Sequence, residues 1–431
     1  MKYFLAIIGG GPAGYTAAEV ASKAGKQVVL FEQNALGGTC LNVGCIPTKT
    51  LLYSAKQYFN ATHADKYGVK AEGVTFDYTK IQQRKTKVVR KLVAGIRAKL
   101  NNEHCTVVTG LASVVNRTDE EVVISCGEEQ FTAENLLICT GSTNFVPPIP
   151  GIKDNPNVWD STAALEAKEL PKSIAIVGGG VIGMEFATLF HELGVPVTVI
   201  EAMPTILPNL DQEIVAILRE KYEKAGIKIL TNTKVENIND LDAEKVLVCV
   251  GRRANLQGLE ALTDLEYNRG AIVVDDFMKT NLPNVYAAGD VTGKIMLAHV
   301  ASRQAEVAVG RMLKQIPLQR IAYNAIPSVV YTNPEIASVG ITEQEFDGEI
   351  HRLPMTFSGR FVAENEGETG LCKMLIDKKS HTVLGVHMIG NPCSEFIAAA
   401  SFAVRMGYTV DEFRQVVFPH PTVSEILKEV L

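Results

Sequence analysis

Cysteine is sparse in this chain, with eight in 431 residues, which is no framework for a cross-linked extracellular fold. Six of them (Cys105, Cys126, Cys139, Cys249, Cys372 and Cys393) lie among apolar neighbours and read as structural thiols. No uncharged apolar run reaches transmembrane length without a Gly or Pro interruption. Long runs of like charge are also missing, and a formal net charge of −6 argues against a nucleic-acid surface. The opening run Met1–Ile8 is too short for the apolar segment of a signal peptide and enters a glycine loop at once, so it reads as a strand. These shortages leave a cytoplasmic globular protein in a reducing compartment, long enough for two or three domains. No metal-ligand set is expected.

Glycine is plentiful instead, at 35 residues, and two clusters of it follow one pattern. Residues 4–8 form an apolar strand that runs into Gly9-Gly10-Gly11-Pro12-Ala13-Gly14, with an amphipathic helix over 13–24 and a strand over 27–32 that ends in Glu32. In such a unit Gly9 permits the tight turn, Gly11 lets the backbone approach a pyrophosphate, and Gly14 lets helix and strand pack closely. Helix amides face the phosphates, and Glu32 is placed to accept from a ribose. The pattern recurs: Ile174–Val177, then Gly178, Gly180 and Gly183 at the same spacing, a helix, and a strand ending in Glu201. Two such units imply two dinucleotides, one fixed and one exchangeable.

The units are unequal. Between Gly110 and Leu136 lie 25 residues, within an antiparallel meander predicted over 105–135, whereas only 10 separate Val235 from Val246. The second unit is therefore expected to lack a meander. Glu201 suits the free 2′-hydroxyl of NAD and repels a 2′-phosphate, and no Arg follows it until Arg219, which favours NAD over NADP.

After Glu32 comes Gly37-Gly38-Thr39-Cys40-Leu41-Asn42-Val43-Gly44-Cys45-Ile46-Pro47-Thr48-Lys49, followed by helix-forming sequence. The helical rise from Cys40 to Cys45 is about 7.5 Å. That exceeds the roughly 4.4–6.8 Å between Cα atoms that a disulfide tolerates. An undistorted helix thus excludes a bridge, and Gly44 is where the first turn can deform. A bridge held in a bent turn is readily reduced, as a redox disulfide must be. Two buried free thiols are the other reading of such a pair, and the flanking sequence weighs against it: the glycine loop upstream, and His420-Pro421-Thr422-Val423-Ser424-Glu425 near the C-terminus.

On these motifs, and over nearly its whole length, the chain resembles the flavin-dependent pyridine nucleotide-disulfide oxidoreductases, most of all their dihydrolipoamide dehydrogenase branch. The resemblance implies an α/β fold of two Rossmann-like dinucleotide-binding domains, for FAD and NAD, plus a C-terminal α+β dimerisation domain. The expected boundaries are 1–146 for the FAD domain with its redox disulfide, 147–268 for a shortened NAD domain, 269–325 for a return to the FAD or central domain, and 326–431 for dimerisation. Cys45 would be the flavin-side sulfur and Cys40 the one that exchanges with substrate. His420, with an ordinary pKa of about 6.5, would be the base and Glu425 its orienting partner. Lys49 and Glu185 would pair where the nicotinamide arrives. Asp290 would hold the ribityl chain of FAD. The backbone of Met296, Leu297, Ala298 and His299 would lie along the flavin ring, with His299 packing rather than moving protons. Cofactor contacts carry over to Ala112, Val235 and Gly251 as well.

The implied activity is oxidation of protein-bound dihydrolipoamide to lipoamide with reduction of NAD, within 2-oxo acid dehydrogenase or glycine cleavage complexes. The implied partners are a second copy of the chain, sharing its active sites across the dimer, and lipoyl domains, an acyltransferase core or a lipoyl carrier protein. No nucleic acid or membrane is among them. Docking as a subunit of such a complex would coexist with catalysis. Phe418-Pro419 stands where the family usually has His-Ala, which removes a polar contact and stiffens the approach to His420. Glutathione and mercuric reductases share the cysteine segment. Glu201 disfavours the NADP of the first, and the ending Leu427–Leu431 lacks the cysteine pair of the second.

Overall fold

Leu5, Ala6, Ile7 and Ile8 give their strand no polar face, so burial on both sides is the arrangement that suits it. In a computed structural model describing every residue except Met1, Ile316, Leu318 and Gln319, this strand lies inside a mostly parallel sheet. Met1, the first residue of the strand predicted above, is thus outside the described residues. The chain divides into two units. One comprises Met1–Thr50, Gln82–Phe145 and Gly251–Ile321; the other Leu51–Ile81, Val146–Val250 and Ala322–Leu431.

In chain order, β1 (Lys2–Ile8), α1 (Pro12–Lys23) and β2 (Val28–Glu32) form the first βαβ unit. Then come α2 (Gly38–Val43), α3 (Cys45–Thr62) and α4 (Tyr78–Leu100). Strands β3 (Cys105–Thr109), β4 (Ala112–Arg117), β5 (Val122–Cys126), β6 (Glu129–Ile138) and β7 (Ser142–Asn144) follow. The sheet order is β3-β2-β1-β6-β5-β4. This corrects the meander predicted over 105–135. Residues 105–109 pair in parallel with β2, Val28 opposite Cys105, so the meander is β4–β6 alone. β6 also runs unbroken from its antiparallel pairing with β5 into parallel pairing with β1, past residue 135 where the predicted meander ends.

The second βαβ unit contains β8 (Val158–Trp159), α5 (Ser161–Glu166), β9 (Ile174–Val177), α6 (Val181–Glu192), β10 (Val197–Ile200), α7 (Gln212–Lys224), β11 (Lys228–Leu230) and β12 (Lys245–Val248). Its sheet, β11-β10-β9-β12-β8, is parallel throughout. Between β11 and β12 only one short 3-10 turn, Ile238–Asp240, is found among the described residues. The meander is indeed missing.

Residues 251–268 were expected in this second unit, but the first unit resumes at Gly251. The reason is strand pairing: β13 (Arg252–Ala254) runs antiparallel to β7, Arg252 opposite Asn144. The hairpin β14 (Tyr267–Asn268) and β15 (Ala271–Ile272) follows, then β16 (Val285–Ala287) in parallel with β6, and α8 (Ala298–Met312) packed on α1.

The C-terminal part contains β17 (Ser328–Val330), β18 (Ile336–Gly340), β19 (Glu349–Pro354), α9 (Gly359–Glu364), β20 (Leu371–Ile376), β21 (Val383–Ile389), α10 (Cys393–Met406), α11 (Val410–Arg414) and α12 (Ile426–Glu429). Its antiparallel sheet, β17-β18-β21-β20-β19, packs against α10. A buried cation, Lys373 on β20, is ringed there by Asp211, Glu213 and Glu343, which satisfies a charge that burial alone would exclude. No helix among the described residues is long and apolar enough to cross a membrane.

Candidate functional site

The two glycine loops are built alike to the level of single hydrogen bonds. Gly9 has φ +106, and a Cβ there would sit 2.2 Å from the Cys139 carbonyl oxygen; Gly178 has φ +111 and would meet Cys249 at 2.5 Å. A Cβ on Gly14 would lie 1.8 Å from the Gly9 oxygen, and one on Gly183 2.0 Å from that of Gly178. Gly11 and Gly180 begin α1 and α6 without any side-chain cap, which leaves first-turn amides to face an anion.

Each loop is held by the acid that ends the next strand. Glu32 accepts from the Gly10 amide at 2.7 Å and from Asn34 at 2.8 Å; Glu201 accepts from Gly179 at 2.7 Å and from Met203 at 2.8 Å. The sequence reading gave these carboxylates to a ribose alone. Their remaining lone pairs leave that contact open while they brace the loops. Both loops therefore fit a dinucleotide.

The cysteine pair lies across a helix break. α2 ends at Val43, Gly44 adopts φ −148 and ψ −112, and Cys45 begins α3. A Cβ at Gly44 would press to 2.9 Å from the Thr39 carbonyl oxygen, so the break needs glycine. Asn42 pins the turn by donating to the Leu36 and Gly38 carbonyls at 3.1 and 3.0 Å, and Thr48 donates to the Gly44 carbonyl at 2.6 Å.

Both sulfurs are half-buried. Hydrogen bonding to Cys45, followed by burial, holds the Cys40 thiol far above its ordinary range, while the Lys49 charge pulls the other way. Burial raises the Tyr15 phenol as well, and the charges of Cys40 and Cys45 add to that, which marks Tyr15 as a neighbour of the pair that sequence reasoning missed.

Asp290 opens a short turn after β16 and accepts from the Ser142 hydroxyl at 2.5 Å; Arg252 in turn donates to Ser142 Oγ at 2.8 Å. Neither Ser142 nor Arg252 carries a sequence signal beyond following Gly141 and Gly251. Leu297 caps α8, Ala298 and His299 begin it, and Met296 precedes it with partial exposure. Ala112 opens β4 with its side chain buried.

In the other unit Glu185 is 4% exposed on α6 and accepts from the Tyr331 amide at 3.1 Å. Val235 is buried in a small cluster with Val177 and Ile200. Gly251, expected beside the second dinucleotide, falls instead at the start of the first unit's last segment. His420 Nδ1 and Glu425 Oε1 lie 2.9 Å apart, with the imidazole 81% exposed. The Thr422 amide, then His420, holds the Glu425 carboxyl below its ordinary range, so it is the anion that faces the imidazole. Phe418 is turned away from any polar role, packing edge-on against Phe413 at 5.9 Å.

Comparison with known proteins matches this arrangement. A dihydrolipoyl dehydrogenase of Geobacillus stearothermophilus is 35% identical over 98% of this chain and 94% of its own length. Among solved structures, the Cu(II) complex of the HOCl-induced flavoprotein disulfide reductase RclA from Escherichia coli superposes with a TM-score of 0.88 at 30% identity, covering 100% of this chain and 99% of that one. LpdA from Mycobacterium tuberculosis gives 0.92 at 25% identity, covering 99% and 98%. Family models described as pyridine nucleotide-disulphide oxidoreductase and as its dimerisation domain match residues 3–305 and 326–431. With its paired glycine loops and the thiols flanking Gly44, the chain belongs to the pyridine nucleotide-disulphide oxidoreductase family.

Proposed function

We propose that the chain is a dihydrolipoyl dehydrogenase, oxidising protein-bound dihydrolipoyl groups to the cyclic disulfide and passing the electron pair to NAD. The observation that carries this reading is the Cys40–Cys45 thiol pair astride Gly44, in a chain that also holds a His420–Glu425 pair. In the oxidised enzyme the two sulfurs form one disulfide. A substrate thiolate attacks Cys40, releasing Cys45; the second substrate thiolate then displaces Cys40, leaving a substrate disulfide and the enzyme dithiol. Only thiolates exchange, so each attack needs a proton acceptor. His420, oriented by the anionic Glu425, takes that role.

Gly9, Gly11, Gly14, Glu32, Ala112, Asp290 and the segment Met296–His299 would hold FAD, which relays an electron pair between the dithiol and NAD when bound. Gly178, Gly180, Gly183, Glu201 and Val235 would hold NAD, with Lys49 and Glu185 near the site of transfer and Gly251 at its margin. The dimerisation-domain match supports a homodimer, and lipoyl domains or a lipoyl carrier are the proposed macromolecular substrates. A cytoplasmic setting fits both. The alternative reading is another disulfide reductase of the same family, glutathione- or mercuric-reductase-like.

Steady-state rates separate these readings. NAD should be reduced with dihydrolipoamide, while NADPH with glutathione disulfide should give no turnover; the reverse would overturn the assignment. Glu201 makes a further prediction. NAD should be preferred over NADP by at least about tenfold in kcat/KM, about 1.4 kcal/mol, and Glu201→Gln should narrow that ratio. Equal ratios in the wild-type protein would show that Glu201 does not face the 2′ position.

A further inference from the structure

Helix α6 starts at the second glycine loop and carries Glu185. Glu185, Thr188 and Glu192 share one face of it, at spacings of three and four residues. All three are buried, at 4%, 4% and 6% exposure. Polar groups at that depth need partners, and each of the three is linked to the turn Tyr331–Asn333 that joins β17 to β18, Thr188 by way of Tyr222. The Tyr331 amide donates to Glu185 Oε1 at 3.1 Å. Thr188 gives its own proton to the Met184 carbonyl, so the Tyr222 hydroxyl donates to Thr188 Oγ1, and Tyr222 accepts from the Asn333 amide at 3.3 Å. Asn333 Nδ2 donates to Glu192 Oε1 at 2.7 Å.

The orientation of that Asn333 amide is itself fixed. Its Oδ1 accepts from Asn391 Nδ2 at 2.9 Å, and Asn391 Oδ1 accepts from the Glu335 amide at 3.0 Å. The donors run in one direction and end on the Glu192 carboxylate, so each bond polarises the next.

We propose that this turn is a clamp that sets the station of α6, making Glu192 and Asn333 positioning residues for the nicotinamide site that Glu185 and the second glycine loop form. The inference rests on the reading of that loop as the NAD site. Neither residue touches the nucleotide in this scheme; both act through the helix.

The clamp contains a titratable group in the working pH range. Around Glu192 stand Asn333, the Tyr222 phenol, Lys56 on α3 and Lys221 on α7. Burial outweighs the Asn333 hydrogen bond and both lysine charges, and lifts the Glu192 carboxyl to about 7. Below that pH the group is neutral and its bond from Asn333 is the weaker, uncharged kind; above it the bond is charge-assisted. The clamp therefore loosens as pH falls through about 7. Folding stability has the opposite sign. The raised value favours the neutral form, so the full benefit is present below the unfolded value of 4.5 and is lost as pH rises through about 7.

The test uses the FAD-loaded protein. KM for NAD should rise about fivefold from pH 8 to pH 6 in the wild type. The step should vanish in Glu192→Gln, which keeps the acceptor and cannot ionise. Asn333→Ala should raise KM about fivefold at pH 8, with kcat changed much less. Glu192→Gln should also gain Tm over the wild type at pH 8 but not at pH 5. A pH step that persists in Glu192→Gln, or an Asn333→Ala variant that loses Tm with KM unmoved, overturns the clamp. NADH fluorescence binding to Gly183→Val tests the premise separately: undiminished binding there overturns the site reading, and the proposal with it.

Discussion

Cys40→Ser should abolish NAD reduction by dihydrolipoamide, lowering kcat by at least about 10⁴-fold, roughly 5.5 kcal/mol of barrier. The exchange breaks a sulfur–sulfur bond at Cys40, and a serine oxygen offers no such bond to break. A lone Cys45 can form no internal disulfide for substrate to exchange with, and burial raises the six thiols outside the pair. Burial pushes the Cys105 thiol up to about 11 and those of Cys249 and Cys372 up to about 12, so at neutral pH all three stay protonated and inert. NADH-driven reduction of an artificial dye should survive in this variant, because that half-reaction needs the nucleotide loops and the flavin but not Cys40. The contrast between the two assays is the measurement. Dihydrolipoamide turnover above about one per cent of wild type would move substrate exchange to another group.

That prediction draws on the part of the molecule most legible in sequence. The loops at Gly9 and Gly178 could be read because glycine is demanded by backbone contacts within a single βαβ unit, at fixed spacing. The break at Gly44 followed from helix rise set against disulfide reach. The missing second meander followed from counting residues, since 10 residues cannot supply hairpins and turns.

Tertiary pairing was harder to see. Cys105–Thr109 is the edge strand of the first sheet, with only one neighbour, so it shows no buried run and reads like part of a hairpin. Arg252–Ala254 is a three-residue strand whose partner lies more than a hundred positions earlier, and no local pattern announces such a pairing. The same distance hides the Glu192–Asn333 bond, and it hides the link from Asp290 through Ser142 to Arg252. The bracing of each glycine loop by Glu32 or Glu201 was missed for a different reason. A carboxylate suited to a ribose carries no sequence sign that its spare lone pairs also accept from the loop amides.

His420→Ala should lower kcat by about 10²- to 10⁴-fold, the range for removal of a general base, while leaving NADH-driven dye reduction intact. The decisive version of the experiment mixes two inactive chains. His420 and Glu425 stand in one unit of the fold and Cys40 and Cys45 in the other. If the proposed homodimer builds each site from the cysteines of one protomer and the histidine of its partner, two-fold symmetry yields two equivalent composite sites. Equal amounts of Cys40→Ser and His420→Ala chains, exchanged freely, then give half heterodimers. Each heterodimer has one intact site, formed by the unaltered Cys40 of one chain and the unaltered His420 of the other, and one site doubly broken. The mixture should therefore recover about a quarter of wild-type activity. A site closed within one chain predicts none, because each chain then lacks either its sulfur or its base. Native mass spectrometry on the same mixture reports whether heterodimers have formed. Heterodimers without recovered activity would assign both halves of the site to a single chain.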